Sequence, residues 1–201
     1  MSVHTRLLPW MSLFTSRRLF SSSRAVPVRV YVWTARIGHA AIEVGDHYLS
    51  IWPSNYPAAT MATRPIKAIL ARELKHDSYV QTIGKWSIYH PEMPKEKDIA
   101  SVPPDKMFEF NKLDTLLIKQ EMQRIRVGIE AGHILYQLCP NVTYKMQQQE
   151  VYNCTLLTSH LLRTGGGIFS QPVFRRPWGI TPKALVEELQ QMQVEEEKLK
   201  L

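Results

Sequence analysis

The stretch that decides the fold is Gly38-His-Ala-Ala-Ile-Glu-Val-Gly-Asp-His-Tyr-Leu-Ser-Ile-Trp-Pro53. Apolar residues alternate with other residues on both sides of Gly45-Asp46, which predicts two antiparallel strands joined by a two-residue turn. Glycine suits the first turn position, and the resulting register places Ile42 opposite Leu49. One face of the predicted hairpin is therefore apolar and consists of Ala40, Ile42, Val44, Leu49 and Ile51.

The other face of the hairpin carries a histidine and its polar neighbours. The register continues to Trp52 opposite His39, with Ser50 on the diagonal. An imidazole at this strand start lies outside the apolar face and is available for chemistry. The alternative is a half-exposed strand histidine without a role.

The second informative stretch is Tyr152-Asn-Cys-Thr-Leu-Leu-Thr-Ser-His-Leu-Leu162. Asn153 is a preferred N-cap residue, so Cys154 is the first residue of the predicted helix. The helix dipole and the free amides at that position favour a thiolate and could bind a developing oxyanion. Leu157 and Leu161 would anchor the helix to the sheet. The alternative is that Cys154 is a small buried apolar residue, as free cysteines often are.

The order of these two motifs resembles the circularly permuted branch of the NlpC-type papain-like superfamily, found among bacterial effectors and toxins. In that branch the strand with the histidine precedes the helix with the cysteine, the reverse of the order in papain. Trp52-Pro53, the glycines that follow the Cys154 helix and Thr181-Pro182 stand in matching places. The resemblance covers roughly residues 28 to 192, with its strongest motifs in the hairpin and the cysteine helix.

The resemblance implies an α+β, papain-like domain with an antiparallel sheet packed against the helix that carries the cysteine. It implies Cys154 as nucleophile and His39 as general base. For the third, polar residue of the site, Ser50 is the geometric candidate and His90 the second one. No Asp, Asn or His stands in an obvious position to orient the imidazole. The remaining site candidates, for the oxyanion or for orientation, are Asn153, Thr155 and Trp52, and no metal or cofactor is implied.

The expected function is that of a thiol-dependent hydrolase, a cysteine peptidase or amidase that forms an acyl-enzyme on a protein or peptide substrate. A catalytically inactive interaction module of the same fold is one alternative. A transglutaminase- or deamidase-like effector that modifies a host protein is another. The loops at 53–63 and 91–104 would select the substrate, and their sequences carry no recognisable code.

Outside these motifs the pattern is that of an α+β domain. Strands are predicted over Val28–Trp33, Lys85–Tyr89 and Met107–Phe110, and a helix over Pro65–Lys75. Asp114 opens an amphipathic helix whose apolar register is Leu117, Ile118, Met122, Ile125 and Ile129. Thr181 caps a last helix, in which Leu185, Leu189 and Met192 keep helical spacing.

The composition narrows the class of protein. A chain of 201 residues with 44% hydrophobic and 21% charged residues suits one globular domain with tails. The net charge is +7, but four arginines of the acid-free first 26 residues account for +4 of it, so nucleic-acid binding is not expected. No apolar run is long enough for a membrane span. The two cysteines, Cys139 and Cys154, form neither a disulfide framework nor a zinc motif, and Cys139 is taken as structural.

Two tails flank the predicted domain at 27–192. Residues 1–26 are rich in Arg and Ser, which is typical of a mitochondrial presequence, and Arg18-Leu-Phe-Ser21 resembles a processing site. A disordered basic terminus or a true start at Met11 are the alternatives. Residues 193–201 are rich in Glu and Lys and are either a solvated helix end or similar to secretion signals of type IV effectors. A mitochondrial protein or a secreted bacterial effector acting in a host cell would fit these tails.

Overall fold

The computed structural model describes residues 26–35, 38–54, 64–83, 101–138, 150–167 and 181–198. These residues form eight strands: β1 (Val28–Trp33), β2 (His39–Val44), β3 (His47–Leu49), β4 (Ile51–Pro53), β5 (Ile66–Leu70), β6 (Lys106–Phe110), β7 (Ile134–Tyr136) and β8 (Glu150–Tyr152). They also form four helices: α1 (Leu74–Ile83), α2 (Thr115–Glu130), α3 (Cys154–Thr164) and α4 (Pro182–Lys198). The expected α+β class is therefore confirmed.

The first sheet contains the predicted hairpin. Its strand order is β3-β2-β1-β6, and all of its pairs are antiparallel. Ile42 pairs with Leu49 as predicted, and Gly45 has a φ of 65°, the left-handed conformation that a tight turn requires of its first residue. The hairpin ladder ends at Leu49, so the predicted cross-strand partnership of His39 with Trp52 is not made through this sheet.

The chain changes sheets at Ser50. β4 pairs with β5 in a second sheet of order β4-β5-β7-β8, in which β7 and β8 are parallel. Because the chain bends at Ser50 and not at a longer loop, the side chains on both sides of it stay close to β2. Ile51 still joins the apolar core of the first sheet, as the predicted alternation requires.

One predicted element is wrong and another lies outside the described residues. The helix predicted over Pro65–Lys75 is instead β5 followed by α1, which begins at Leu74. The exposure of Lys67 between buried Ile66 and Ala68 has the period of a strand, and the segment pairs with β4 and β7. The strand predicted over Lys85–Tyr89 falls in the range that the structure does not describe.

The main core lies between the sheets and helices α2, α3 and α4. In α2 the predicted face is buried at Ile118, Met122, Ile125 and Ile129, whereas Leu117 is 46% exposed and does not belong to it. The helix α4 buries Leu185, Leu189 and Met192 as predicted. The opposite face of the first sheet is covered by α1, and the site lies in this second layer.

The last helix continues into the segment rich in Glu and Lys and ends at Lys198. Within that segment Glu196 is buried, and its carboxylate accepts hydrogen bonds from the backbone amides of Asn111 and Lys112 at 3.2 and 3.1 Å. The presequence-like residues 1–25 lie outside the described residues. None of the described helices is long and apolar enough to cross a membrane.

Candidate active site

His39 lies in a buried aromatic layer on the face of the first sheet that α1 covers. Only 1% of its surface is exposed. Its ring stacks on Trp52, with ring centres 3.9 Å apart and an angle of 19° between the planes. The ring of Trp33 approaches from another side at 5.7 Å. The aromatic contacts fix the plane of the imidazole, so its two nitrogens point in defined directions.

The Nε2 atom of His39 has two polar neighbours. The Ser50 hydroxyl oxygen lies 2.7 Å away, at the bend between β3 and β4. The Oδ2 atom of Asp77, on α1, lies 3.4 Å away. Asp77 has no exposed surface, and its carboxylate also accepts hydrogen bonds from the Tyr48 hydroxyl and from the Trp52 indole, the latter at 2.5 Å.

These contacts set the charges in the site. Burial by itself would lower the pKa of His39, but the Asp77 carboxylate and the Cys154 sulfur outweigh burial and raise it to about 9. Burial raises the pKa of Asp77, and the His39 charge together with hydrogen bonds from Tyr48 and Trp52 reverses this, so that the pKa ends below its ordinary value. At neutral pH the site therefore holds a buried imidazolium–carboxylate pair.

Cys154 approaches this pair from the start of α3. The Asn153 side chain caps the helix by accepting hydrogen bonds from the Leu156 amide at 2.7 Å and from the Thr155 hydroxyl at 2.9 Å. The Asn153 amide group donates to the Leu138 carbonyl at 3.0 Å, which ties the helix start to the chain beyond β7. Cys154 is 8% exposed, and it lies close enough to His39 to raise the pKa of that imidazole. The thiol and the imidazole thus meet within one buried cluster.

The fold brings together four of the sequence-predicted site residues, His39, Ser50, Trp52 and Cys154. The side chains of Asn153 and Thr155 are hydrogen-bonded to each other at the helix cap. His90 and Cys139 lie outside the described residues. His160, for which the sequence suggests no partner, contacts Glu121 on α2 at 2.6 Å.

Asp77 is the site residue that the sequence analysis missed. The misplaced helix over Pro65–Lys75 left it outside any predicted element, so it shared no face with His39. The sequence holds one signal that could have found Asp77: Asp77 and Gln81 are four residues apart, a spacing that puts two residues on the same face of a helix. In the structure both side chains are buried in α1.

No family model, curated protein or solved structure matches this chain. Among the described residues, no group of three His, Cys, Asp or Glu side chains is arranged to hold a metal ion.

Proposed function

We propose that this protein is a thiol-dependent hydrolase with a papain-like domain of the circularly permuted NlpC type, and that Cys154 is its nucleophile. The observation that carries the proposal is the position of Cys154 at the first residue of α3, in contact with an imidazole whose Nε2 side is held by Asp77 and Ser50. Burying a charged imidazole inside a protein is costly. A cysteine with a purely structural role would not require such a group beside it.

In the proposed resting state the thiol proton resides on His39. The raised pKa of His39, about 9, favours the protonated imidazole at neutral pH, and in this proposal the imidazolium stabilises a thiolate on Cys154. Since Nε2 faces Ser50 and Asp77, the Nδ1 atom is the one available to exchange a proton with the sulfur.

The thiolate attacks the carbonyl carbon of an amide or isopeptide bond and forms a tetrahedral intermediate. The backbone amide of Cys154, in the first turn of α3, has no acceptor within its helix, and in this proposal it binds the oxyanion. His39 donates its proton to the leaving amine, and a thioester forms. A water molecule that gives its proton to neutral His39 then attacks the thioester, which releases the acid and restores the thiolate–imidazolium pair.

Asn153 and Trp52 support this chemistry indirectly. The side-chain oxygen of Asn153 accepts a hydrogen bond at the helix cap, and its amide group donates to the Leu138 carbonyl. The proposed role of Asn153 is therefore to fix the direction of the Cys154 amide. Trp52 holds the plane of the imidazole by stacking. Neither side chain needs to touch the substrate in this scheme.

The first test is the pH dependence of cysteine alkylation in the full chain, followed by mass spectrometry of both cysteines. Cys139, the other cysteine of the sequence, is the internal control. An ordinary thiol with a pKa of about 8.5 is less than about 1% ionised near pH 6, so its labelling rises steeply above that pH. We expect Cys154 labelling to be nearly independent of pH between about 6 and 8. The readout is how the labelling rate of each cysteine depends on pH and not the absolute rate, because burial of a thiol lowers its labelling rate by the same factor at every pH.

A His39→Gln variant provides the matched comparison. It should restore the steep pH profile of an ordinary thiol at Cys154, since the imidazolium partner is gone. A wild-type Cys154 profile with the same shape as that of Cys139 would instead favour the inactive interaction module. If Cys154 is reactive, release of ammonia from glutamine peptides without cleavage would favour the transglutaminase or deamidase reaction over hydrolysis.

A further inference from the structure

The structure assigns to Asp77 the role of positioning residue for His39, supplied by helix α1 and not by the strand next to His39. The catalytic meaning of this assignment rests on the proposed function, in which His39 serves the Cys154 thiol. The geometric part, a carboxylate that orients the imidazole and keeps it cationic, stands independently of it.

The carboxylate of Asp77 is held at both of its oxygens. The Trp52 indole donates to Oδ1, and the Tyr48 hydroxyl donates to Oδ2, the oxygen that also faces Nε2 of His39. Both donors come from the β3–β4 segment, whereas Asp77 comes from α1. Because Trp52 and Tyr48 are neutral donors, they stabilise the ionised carboxylate and leave its charge uncancelled. The carboxylate is thereby fixed in orientation and kept negative.

A buried carboxylate requires a cation nearby, because an uncompensated charge inside a protein is costly. Within the part of the chain that the structure describes, the cationic group in contact with Asp77 is His39. Each group therefore compensates the buried charge of the other: the Asp77 carboxylate stabilises the His39 imidazolium, and the imidazolium stabilises the carboxylate.

Ser50 is closer to Nε2, at 2.7 Å against 3.4 Å for Asp77, yet it cannot perform the same task. A hydroxyl both donates and accepts, so it can bond to neutral or protonated imidazole equally well. A carboxylate accepts only, and it therefore selects the form of His39 that carries a proton on Nε2. Ser50 is a neutral second contact that helps to aim the ring.

The elements packed around His39 present two groups that can oppose its charge, Asp77 from α1 and Cys154 from α3. Tyr48 from β3 also lies in this layer, and its own pKa is raised by burial and by Asp77, so it stays neutral. During the proposed reaction the sulfur becomes a thioester and loses its charge. Asp77 is then the group that continues to hold the imidazole in place, which matters for the step in which His39 accepts a proton from water.

The test follows the imidazole of His39 by NMR in the full chain with labelled histidine, across about pH 5 to 10, in wild type and in three variants. In Cys154→Ser the titration midpoint should remain above the ordinary histidine value of about 6.5, because Asp77 is still present. In Ser50→Ala it should change little. In Asp77→Asn it should fall by at least about one pH unit, a tenfold loss in proton affinity. A shift in Asp77→Asn no larger than that in Ser50→Ala would overturn the assignment.

A second measurement needs no substitution and covers the case in which Asp77→Asn does not fold. In wild type the carboxyl carbon of Asp77 should shift with the same midpoint as the His39 ring, because the two groups are in contact. A carboxyl signal that is protonated near neutral pH, or that ignores the titration of His39, would also overturn the assignment.

The two proposals fail in different ways. An unreactive Cys154 together with an Asp77-dependent titration of His39 would remove the proposed function and leave the positioning role. A reactive Cys154 whose alkylation profile is the same in Asp77→Asn as in wild type would keep the function and remove the role of Asp77. If both proposals hold, Asp77→Asn should slow the labelling of Cys154 near pH 6 by about tenfold, in line with the tenfold change in proton affinity.

Discussion

The Nε2 atom of His39 lies 3.4 Å from Oδ2 of Asp77, and the side chains are 1% and 0% exposed. The contact joins the start of β2 to the first half of α1, and β3, β4 and β5 lie between these two elements in the sequence. An ion pair at this depth is expensive to form and more expensive to break from one side. It therefore links the stability of the domain to the protonation of one histidine.

The pH dependence of stability should report this ion pair. The pKa of His39 is raised from its ordinary 6.5 to about 9, so its contribution is complete below 6.5 and is lost as the pH rises toward 9. The pKa of Asp77 is lowered, so its contribution is present above its ordinary 3.8 and is lost only in stronger acid. The free energy of unfolding in urea should fall between about pH 6.5 and 9 by up to about 3 kcal/mol. His39→Gln should lack this decline, and a wild-type profile that rises across the same window would contradict the ion pair.

The two buried tryptophans beside His39 offer a matched comparison. Trp52 donates to the Asp77 carboxylate at 2.5 Å, whereas Trp33 donates to the neutral carbonyl of Val102 at 3.0 Å. Each Trp→Phe change removes one N–H and a similar volume, but only Trp52→Phe removes a donor from a buried charge. A hydrogen bond to a charged group contributes about 1.5–3 kcal/mol and a neutral one about 0.5–1.5 kcal/mol. Urea unfolding should show Trp52→Phe to be the less stable variant by about 1 kcal/mol; the reverse order would show that the indole does not stabilise the carboxylate.

Gly38, directly before the strand that carries His39, packs against the start of the last helix. It has a φ of 66°, and a Cβ atom there would lie 3.0 Å from Cγ of Pro182, at the start of α4. Gly132 has a φ of 76° with no atom within 4 Å of such a Cβ. Both Gly→Ala variants incur the backbone cost of about 1–2 kcal/mol, but only Gly38→Ala also pushes against Pro182. Thermal unfolding should show a larger loss for Gly38→Ala, accompanied by a change in the NMR signals of neighbouring His39, and equal losses would mean that Pro182 yields freely.

Glu196 holds the C-terminal end of helix α4 against the rest of the domain. Its buried carboxylate accepts from the amides of Asn111 and Lys112, whereas neighbouring Glu197 is exposed. Glu196→Ala leaves two backbone donors without an acceptor and should cost about 1–3 kcal/mol of unfolding free energy. Glu197→Ala should stay within about 0.5 kcal/mol of wild type, as an exposed substitution does. If the two variants are equally stable in urea, the segment is only a solvated helix end.

Local rules predicted the parts of the fold that depend on short stretches of sequence. The period of two and the Gly45-Asp46 turn predicted the hairpin, because side-chain alternation and turn geometry fix the register within a few residues. The N-cap preference of Asn153 predicted that α3 begins at Cys154, because the orphan amides of a helix start need a side-chain acceptor. The same kind of reasoning failed over residues 65–75, where pairing with β4 and β7 overrides any helical tendency.

By itself, then, the sequence determined that His39 starts the first strand of a hairpin and that Cys154 opens a helix. Only the tertiary structure decided that the strand start and the helix start meet, and that Asp77 joins them from a third element. The physical reason is that charge and burial are not local properties. A carboxylate 38 positions from His39 in the chain shifts its pKa only once the fold removes the water between them.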